Sequence, residues 1–140
     1  MKVLLDTNVV LDVILKRSPW QADAEAIWAA HEAGELEACL TASVLTDVFY
    51  IVRRFQGNAS ARLAVEECVG SLQILTVDYA LAQHALSLPM NDFEDAIQVA
   101  AAMRHHLDAI VTRDVNDFAG ASVPAIEPGD LLLQLDSAGN

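Results

Sequence analysis

Short apolar runs alternate along the chain with longer stretches in which apolar residues recur every three to four positions. Val3 to Leu5 predicts a short buried strand, and Asn8 to Lys16, with Val9, Leu11, Val13 and Ile14, predicts a helix. Trp20 to Ala33 reads as a second helix, with Ala24, Ile27, Trp28 and His31 at helical spacing and Gly34 as its stop. Glu37 to Leu40 follows as a strand. From Ser43 to Phe55, one stripe gathers Val44, Val48, Ile51, Val52 and Phe55; Gly57 and Asn58 close it before a helix from Ser60 to Leu72. Ile74 to Val77 predicts a third strand. Asp78 caps a helix towards Leu88, Pro89 breaks the chain, and Asn91 or Asp92 caps a further helix to about His105. Ala109 to Thr112 reads as the fourth strand, Val123 to Ile126 as a weak last one, and a short helix is expected after Pro128. Strands alternating with helices in this way imply an α/β fold with a mainly parallel sheet covered on both faces.

At 140 residues the chain suits one domain, long enough to bury about 68% of its unfolded surface. Its longest uncharged stretch, Tyr79 to Asn91, contains Gln83, His84 and Pro89 and is too short to span a bilayer. Asp6 interrupts the apolar start at Lys2-Val3-Leu4-Leu5, leaving no secretory h-region, so the expected location is the cytoplasm. Cys39 and Cys68 lie in apolar segments and read as reduced core residues. The net charge of -12 argues against holding nucleic acid by bulk electrostatics and suits a basic protein partner. Any activity on a phosphate backbone must therefore recruit cations.

The acids are placed in a way that points to such recruitment. Asp6 directly follows the first predicted strand and Asp114 the fourth, and ligands of open α/β sheets bind outside the carboxyl ends of strands. Asp47 and Asp95 fall within stripes that face a core, Asp47 between Val44 and Ile51, and Asp95 ahead of Val99 and Met103 with Asp92 one turn earlier. Both lie near helix N-termini, where they can meet Asp6 and Asp114 at the sheet edge. Two unit charges about 4 Å apart repel by roughly 4 kcal/mol at an effective dielectric constant near 20. Hard divalent cations with oxygen ligands, Mg²⁺ or Mn²⁺, would satisfy such a cluster, and their chemistry is metal-assisted phosphodiester hydrolysis.

Each residue also has a plainer reading. Asp6 alone serves as an N-cap, Asp95 as a capping partner of Asp92, and Asp114 and Asp117 as turn formers, Asp117 more readily so. Asp47 is the hardest to explain structurally. The four histidines show no i, i+4 ligand pair. Trp20 and Trp28 read as core or dimer-contact residues, and Arg53 and Arg54 equally as a solvated helix end or an RNA-contacting rim.

Taken together, four segments resemble the PIN-domain nucleases, in particular the toxin components of bacterial VapBC-type toxin–antitoxin pairs. They are Leu4-Leu5-Asp6-Thr7-Asn8-Val9-Val10-Leu11-Asp12, Thr46-Asp47-Val48-Phe49-Tyr50, Asp92-Phe93-Glu94-Asp95-Ala96 and Thr112-Arg113-Asp114-Val115-Asn116-Asp117-Phe118. The resemblance covers nearly the whole chain, residues 1–140, as a single PIN-like domain. It implies a three-layer α/β/α sandwich, homodimers, a small antitoxin that blocks the cleft, and endonucleolytic cleavage of RNA leaving a 5′-phosphate and a 3′-hydroxyl. By the same resemblance Asp6, Asp95 and Asp114 are metal ligands and Asp47 the further acidic member. Thr7, Asn8, Ser43 and Thr112 orient carboxylates or water, Asp92 and Asp117 assist, and Arg53, Arg54 and Arg113 are candidate RNA contacts. One position departs from the pattern: many members carry Glu where this chain has Asp47, one methylene shorter.

Three other functions share parts of this pattern. A phosphotransferase with Asp6 as covalent nucleophile wants a second Asp where Asn8 stands. A phosphoryl-accepting receiver domain needs a Lys near the last strand, and none follows Lys16. A non-catalytic interaction module with the same fold is opposed by the presence together of Asp6, Asp95 and Asp114.

Overall fold

The computed structural model describes residues 1–140. In chain order the elements are β1 (Lys2–Leu5), α1 (Thr7–Ile14), α2 (Gln21–Glu32), β2 (Glu37–Thr41), α3 (Ala42–Gln56), α4 (Asn58–Ser71), β3 (Gln73–Leu75), α5 (Tyr79–Ser87), α6 (Phe93–Arg104), β4 (Ala109–Val111), a 3₁₀ turn (Val115–Phe118), β5 (Ala125–Ile126) and α7 (Pro128–Ala138). Five strands form one sheet in the order β3-β2-β1-β4-β5, and every pairing is parallel.

Alternation along the strands divides the core into two layers. Val3, Leu5, Ala38, Leu40, Ala109 and Val111 face one side, where they meet Val9, Val10, Ile27, Val44, Val48, Ala61, Cys68 and Leu131 from α1, α2, α3, α4 and α7. Leu4, Cys39, Leu75 and Ile110 face the other, against Leu81 and Ala85 of α5 and Ala96, Val99 and Ala100 of α6. The fold is thus the expected α/β/α sandwich. Small residues let α6 lie close to the central strands, so that Ala96 to Ala102 are all buried. Cys39 and Cys68 are buried free thiols, their pKa values pushed by burial to about 11 and about 12.

The differences from the expected boundaries have local causes. α1 stops at Ile14 rather than Lys16, because Lys16 takes a left-handed φ of 52°. Gly57, at φ 86°, separates α3 from α4, which starts at Asn58 rather than Ser60. β3 ends at Leu75, where pairing with Thr41 of β2 ends, so Thr76 and Val77 lead to Asp78 outside the sheet. α7 is a full 11-residue helix rather than a short one, because Leu131 is completely buried and ties it to the core beside α2. His31, on α2, is structural: Nδ1 accepts from Ala38 N at 3.0 Å, leaving Nε2–H to donate to Ser71 O at 2.7 Å.

Successive strands are laid outward from β1 through β2 to β3, and the chain then returns to place β4 on the other side of β1. The reversal leaves a crevice at the carboxyl ends of β1 and β4. Asp6 N–H donates to Val111 O at 2.9 Å, carrying the ladder one residue beyond β1 and seating Asp6 at its edge.

Candidate active site

Asp6 is the N-cap of α1 and is nearly buried, with four donors on its carboxylate. Oδ1 accepts from Thr7 N at 2.8 Å and from Gln98 Nε2 of α6 at 2.9 Å. Oδ2 accepts from Thr112 Oγ1 at 2.8 Å and from Asn8 Nδ2 at 3.4 Å. The same Asn8 amide reaches Asp114 Oδ2 at 3.1 Å, and Asp114 N donates to Thr112 Oγ1 at 3.0 Å. Asn8 and Thr112 therefore tie the acid following β1 to the acid following β4.

Asp6, Asp47, Asp95 and Asp114 all line one cleft of about 430 Å³, together with Thr7, Asn8, Asp92, Glu94, Asp117, Arg17 and Arg113. Asp92 caps α6 through Oδ1, which accepts from Asp95 N at 3.0 Å, so the capping and cleft-lining roles coexist. Burial, reinforced by the charges of Asp92, Asp6, Asp117 and Asp114, pushes the Asp95 carboxyl up to about 7. Glu94 is raised to about 7 by burial and by the hydrogen bond and charge of Asp47, while Thr7 Oγ1 donates to its Oε1 at 3.0 Å. The cleft thus concentrates negative charge that its own donors only partly offset.

Residues 2–116 match the PIN domain family. The chain belongs to the PIN domain family. No curated protein sequence matches it significantly. Among solved structures, it is similar to a toxin–antitoxin complex from Klebsiella pneumoniae, with 23% identity, a TM-score of 0.67, and coverage of 90% of this chain and 97% of that one. It is also similar to VapC20 of Mycobacterium tuberculosis, described as a sarcin–ricin-loop-cleaving toxin (15%, 0.69, 85% and 95%). DNA-bound VapBC of Salmonella typhimurium is a third (18%, 0.70, 91% and 98%). At these identities the likeness shows a shared fold.

The donor set of this PIN domain suits a hard cation: the acids offer only carboxylate oxygen, and Asp95 carries a repulsion that a divalent ion would relieve. No three of the chain's His, Cys, Asp and Glu side chains converge on one point, so the cleft is not a finished cage. Mg²⁺ does not require one, because it keeps several waters and is held by one or two carboxylates.

Of the remaining expected residues, Arg113 lines the cleft and Ser43, Arg53 and Arg54 do not. Ser43 Oγ pairs with Thr41 Oγ1 at 2.8 Å and does not line the cleft. Arg53 and Arg54 are exposed on the C-terminal half of α3 outside the lining, with Arg53 over the rings of Phe49 and Tyr50. Arg113 lines the cleft, but its Nε is 2.8 Å from Asp12 Oδ2 and its guanidinium stacks 3.8 Å above the Trp20 ring. Three residues of the site were given no role from the sequence: Glu94, Gln98, and Asp12 as partner of Arg113 and of Arg17, a basic residue beside the first motif that forms part of the cleft wall. Glu94 adjoins Asp95, and Gln98 lies on the buried stripe of α6, where a polar residue is itself a signal.

Proposed function

We propose that this PIN domain is an endoribonuclease acting through Mg²⁺ or Mn²⁺, with Asp6, Asp95 and Asp114 as metal ligands, one or two of them directly and the rest through the ion's waters, and Asp47 as the further acid. The observation that carries this reading is the Asn8 bridge: one amide joins Asp6 at the end of β1 to Asp114 beyond β4, facing Asp95, whose carboxyl is pushed to about 7. Bound there, the ion would activate water and neutralise charge on the phosphate and leaving oxygen. The chain's own residues hold the site: Thr7, Asn8, Thr112 and Gln98 fix Asp6, Asn8 and Thr112 orient Asp114, and Asp92 caps the helix bearing Asp95.

The likeness to toxin–antitoxin complexes supports a toxin role with an antitoxin as partner; a small size for that antitoxin and a homodimer as the working form are part of the same proposal. No helix is long and apolar enough to cross a membrane, and the proposed place of action is the cytoplasm. Residues 1–140 are taken as one domain, since α7, outside the matched segment, buries Leu131 in the core shared with α1 to α4.

The test incubates purified protein with a mixed RNA pool under four conditions: Mg²⁺, Mn²⁺, chelator, and Mg²⁺ with Asp6→Asn. Cleavage is expected with either metal and in neither of the others. Cleavage that survives chelation or the substitution refutes the reading; metal binding without cleavage of any RNA favours a non-catalytic interaction module.

A further inference from the structure

Asp12, in the middle of α1, is 0% exposed. Arg113 already meets it, with Nη2 donating to Oδ1 at 3.3 Å and Nε 2.8 Å from Oδ2 as an ion pair without hydrogen-bond alignment. One guanidinium in contact supplies the counter-charge that one buried carboxylate requires. Arg17 nevertheless reaches the same group, with Nε 2.8 Å from Oδ1, while its Nη2 donates to Asn8 O at 3.1 Å. Two cations on one anion leave an excess positive charge, and the structure places it at a wall of the acidic cleft. Arg17 and Arg113 are the only cations among the lining residues, with side chains 33% and 22% exposed.

The two arginines differ in their freedom. Arg113 is held between Asp12 and the Trp20 ring 3.8 Å away. Arg17 is fixed along one edge, through Nε and one Nη2 hydrogen. Its other three N–H groups have no protein partner, and a planar guanidinium anchored on one side presents the rest as a fork matched to phosphate oxygens. A lone flexible cation in this cleft would collapse onto the carboxylates; bracing by Asp12 and Asn8 O holds Arg17 away from that fate.

We propose that Arg17, braced by Asp12 with Arg113 completing the counter-charge, is the phosphate-binding residue of the substrate groove and takes a backbone phosphate of RNA beside the acidic cluster. The inference rests on the ribonuclease reading above and adds the residue that lets an acidic protein seat a polyanion. Arg17 is a substrate contact, separate from the ligand carboxylates.

The experiment compares wild type, Arg17→Gln, Arg17→Lys and, as a control on the exposed face of α4, Arg62→Gln. Thermal melts establish that each is folded. Cleavage of a labelled RNA hairpin in Mg²⁺ gives KM and kcat at several salt concentrations, and anisotropy of the same RNA gives binding directly. Arg17→Gln is expected to raise KM about tenfold with kcat within about twofold, and to reduce the salt dependence of binding by about one phosphate contact. Arg17→Lys should recover part of the loss, and Arg62→Gln should match wild type. Unchanged KM and salt slope in Arg17→Gln overturn the proposal, as does a change confined to the Mg²⁺ concentration needed, which would make Arg17 a mere counter-charge to the acids. If the wild type cleaves no RNA, the ribonuclease reading fails on its own, and the anisotropy comparison still decides whether Arg17 holds RNA.

Discussion

Gln98 Nε2 donates to Asp6 Oδ1 across 2.9 Å, from a side chain with no exposure to solvent. Its Oε1 has no partner, and reversing the amide would set that oxygen against the carboxylate. The buried amide is thus committed to holding the acid at the end of β1, at the cost of one unsatisfied acceptor.

Gln98→Met, close in volume but without a donor, is therefore expected to fold and to bind Mg²⁺ about ten- to a hundred-fold more weakly, the usual scale for losing a group that orients a metal ligand. Calorimetric titration of wild type and variant with Mg²⁺ measures this. Equal affinities would show that the other three donors suffice to place Asp6.

The metal-free protein should lose stability as pH rises from about 5 to about 8. Asp95 is raised from 3.8 to about 7 and Glu94 from 4.5 to about 7, so the folded state keeps protons that the unfolded chain has already released. Stability from that protonation is present below the unfolded pKa values and is lost as pH passes through the folded ones. Thermal melts in chelator should show Tm falling across the window, Asp95→Asn should flatten the slope, and Mg²⁺ should restore Tm most at the alkaline end. A metal-free Tm that rises from pH 5 to pH 8 would contradict this.

Asp12→Ala removes the carboxylate that Arg17 and Arg113 share in the interior, leaving two guanidiniums facing each other without it. Breaking a buried pair by deleting one partner costs about 3 kcal/mol or more, which urea denaturation would record as a lower midpoint. A loss under about 1 kcal/mol would mean that water already screens the trio.

Much of the site was legible before any coordinates because it follows the strand ends. Asp6 and Asp114 close strands identifiable as apolar runs, and in a doubly wound sheet such residues meet at the crevice. Asp47 and Asp95 stood out as acids on apolar stripes, and both reach the cleft. Glu94 was hidden because its partners are Thr7, 87 positions away, and Asp47 on another helix. Arg113 shows a related case: a cation beside the motif reads as a candidate contact for RNA, and only the fold reveals that it also pairs with Asp12, 101 positions away.

The aspartate cluster belongs to both levels of description. Periodicity and strand-end position, which are local properties of the chain, determined the α/β class and singled out Asp6, Asp47, Asp95 and Asp114 as acids for the crevice. Only the tertiary structure decided how they are held: that Asn8 bridges Asp6 to Asp114, that Gln98 supports Asp6 from beneath, and that Asp12 fixes Arg17 at the rim. These links join residues on different elements, and no spacing rule along the chain encodes the distance across which an amide or guanidinium finds its carboxylate.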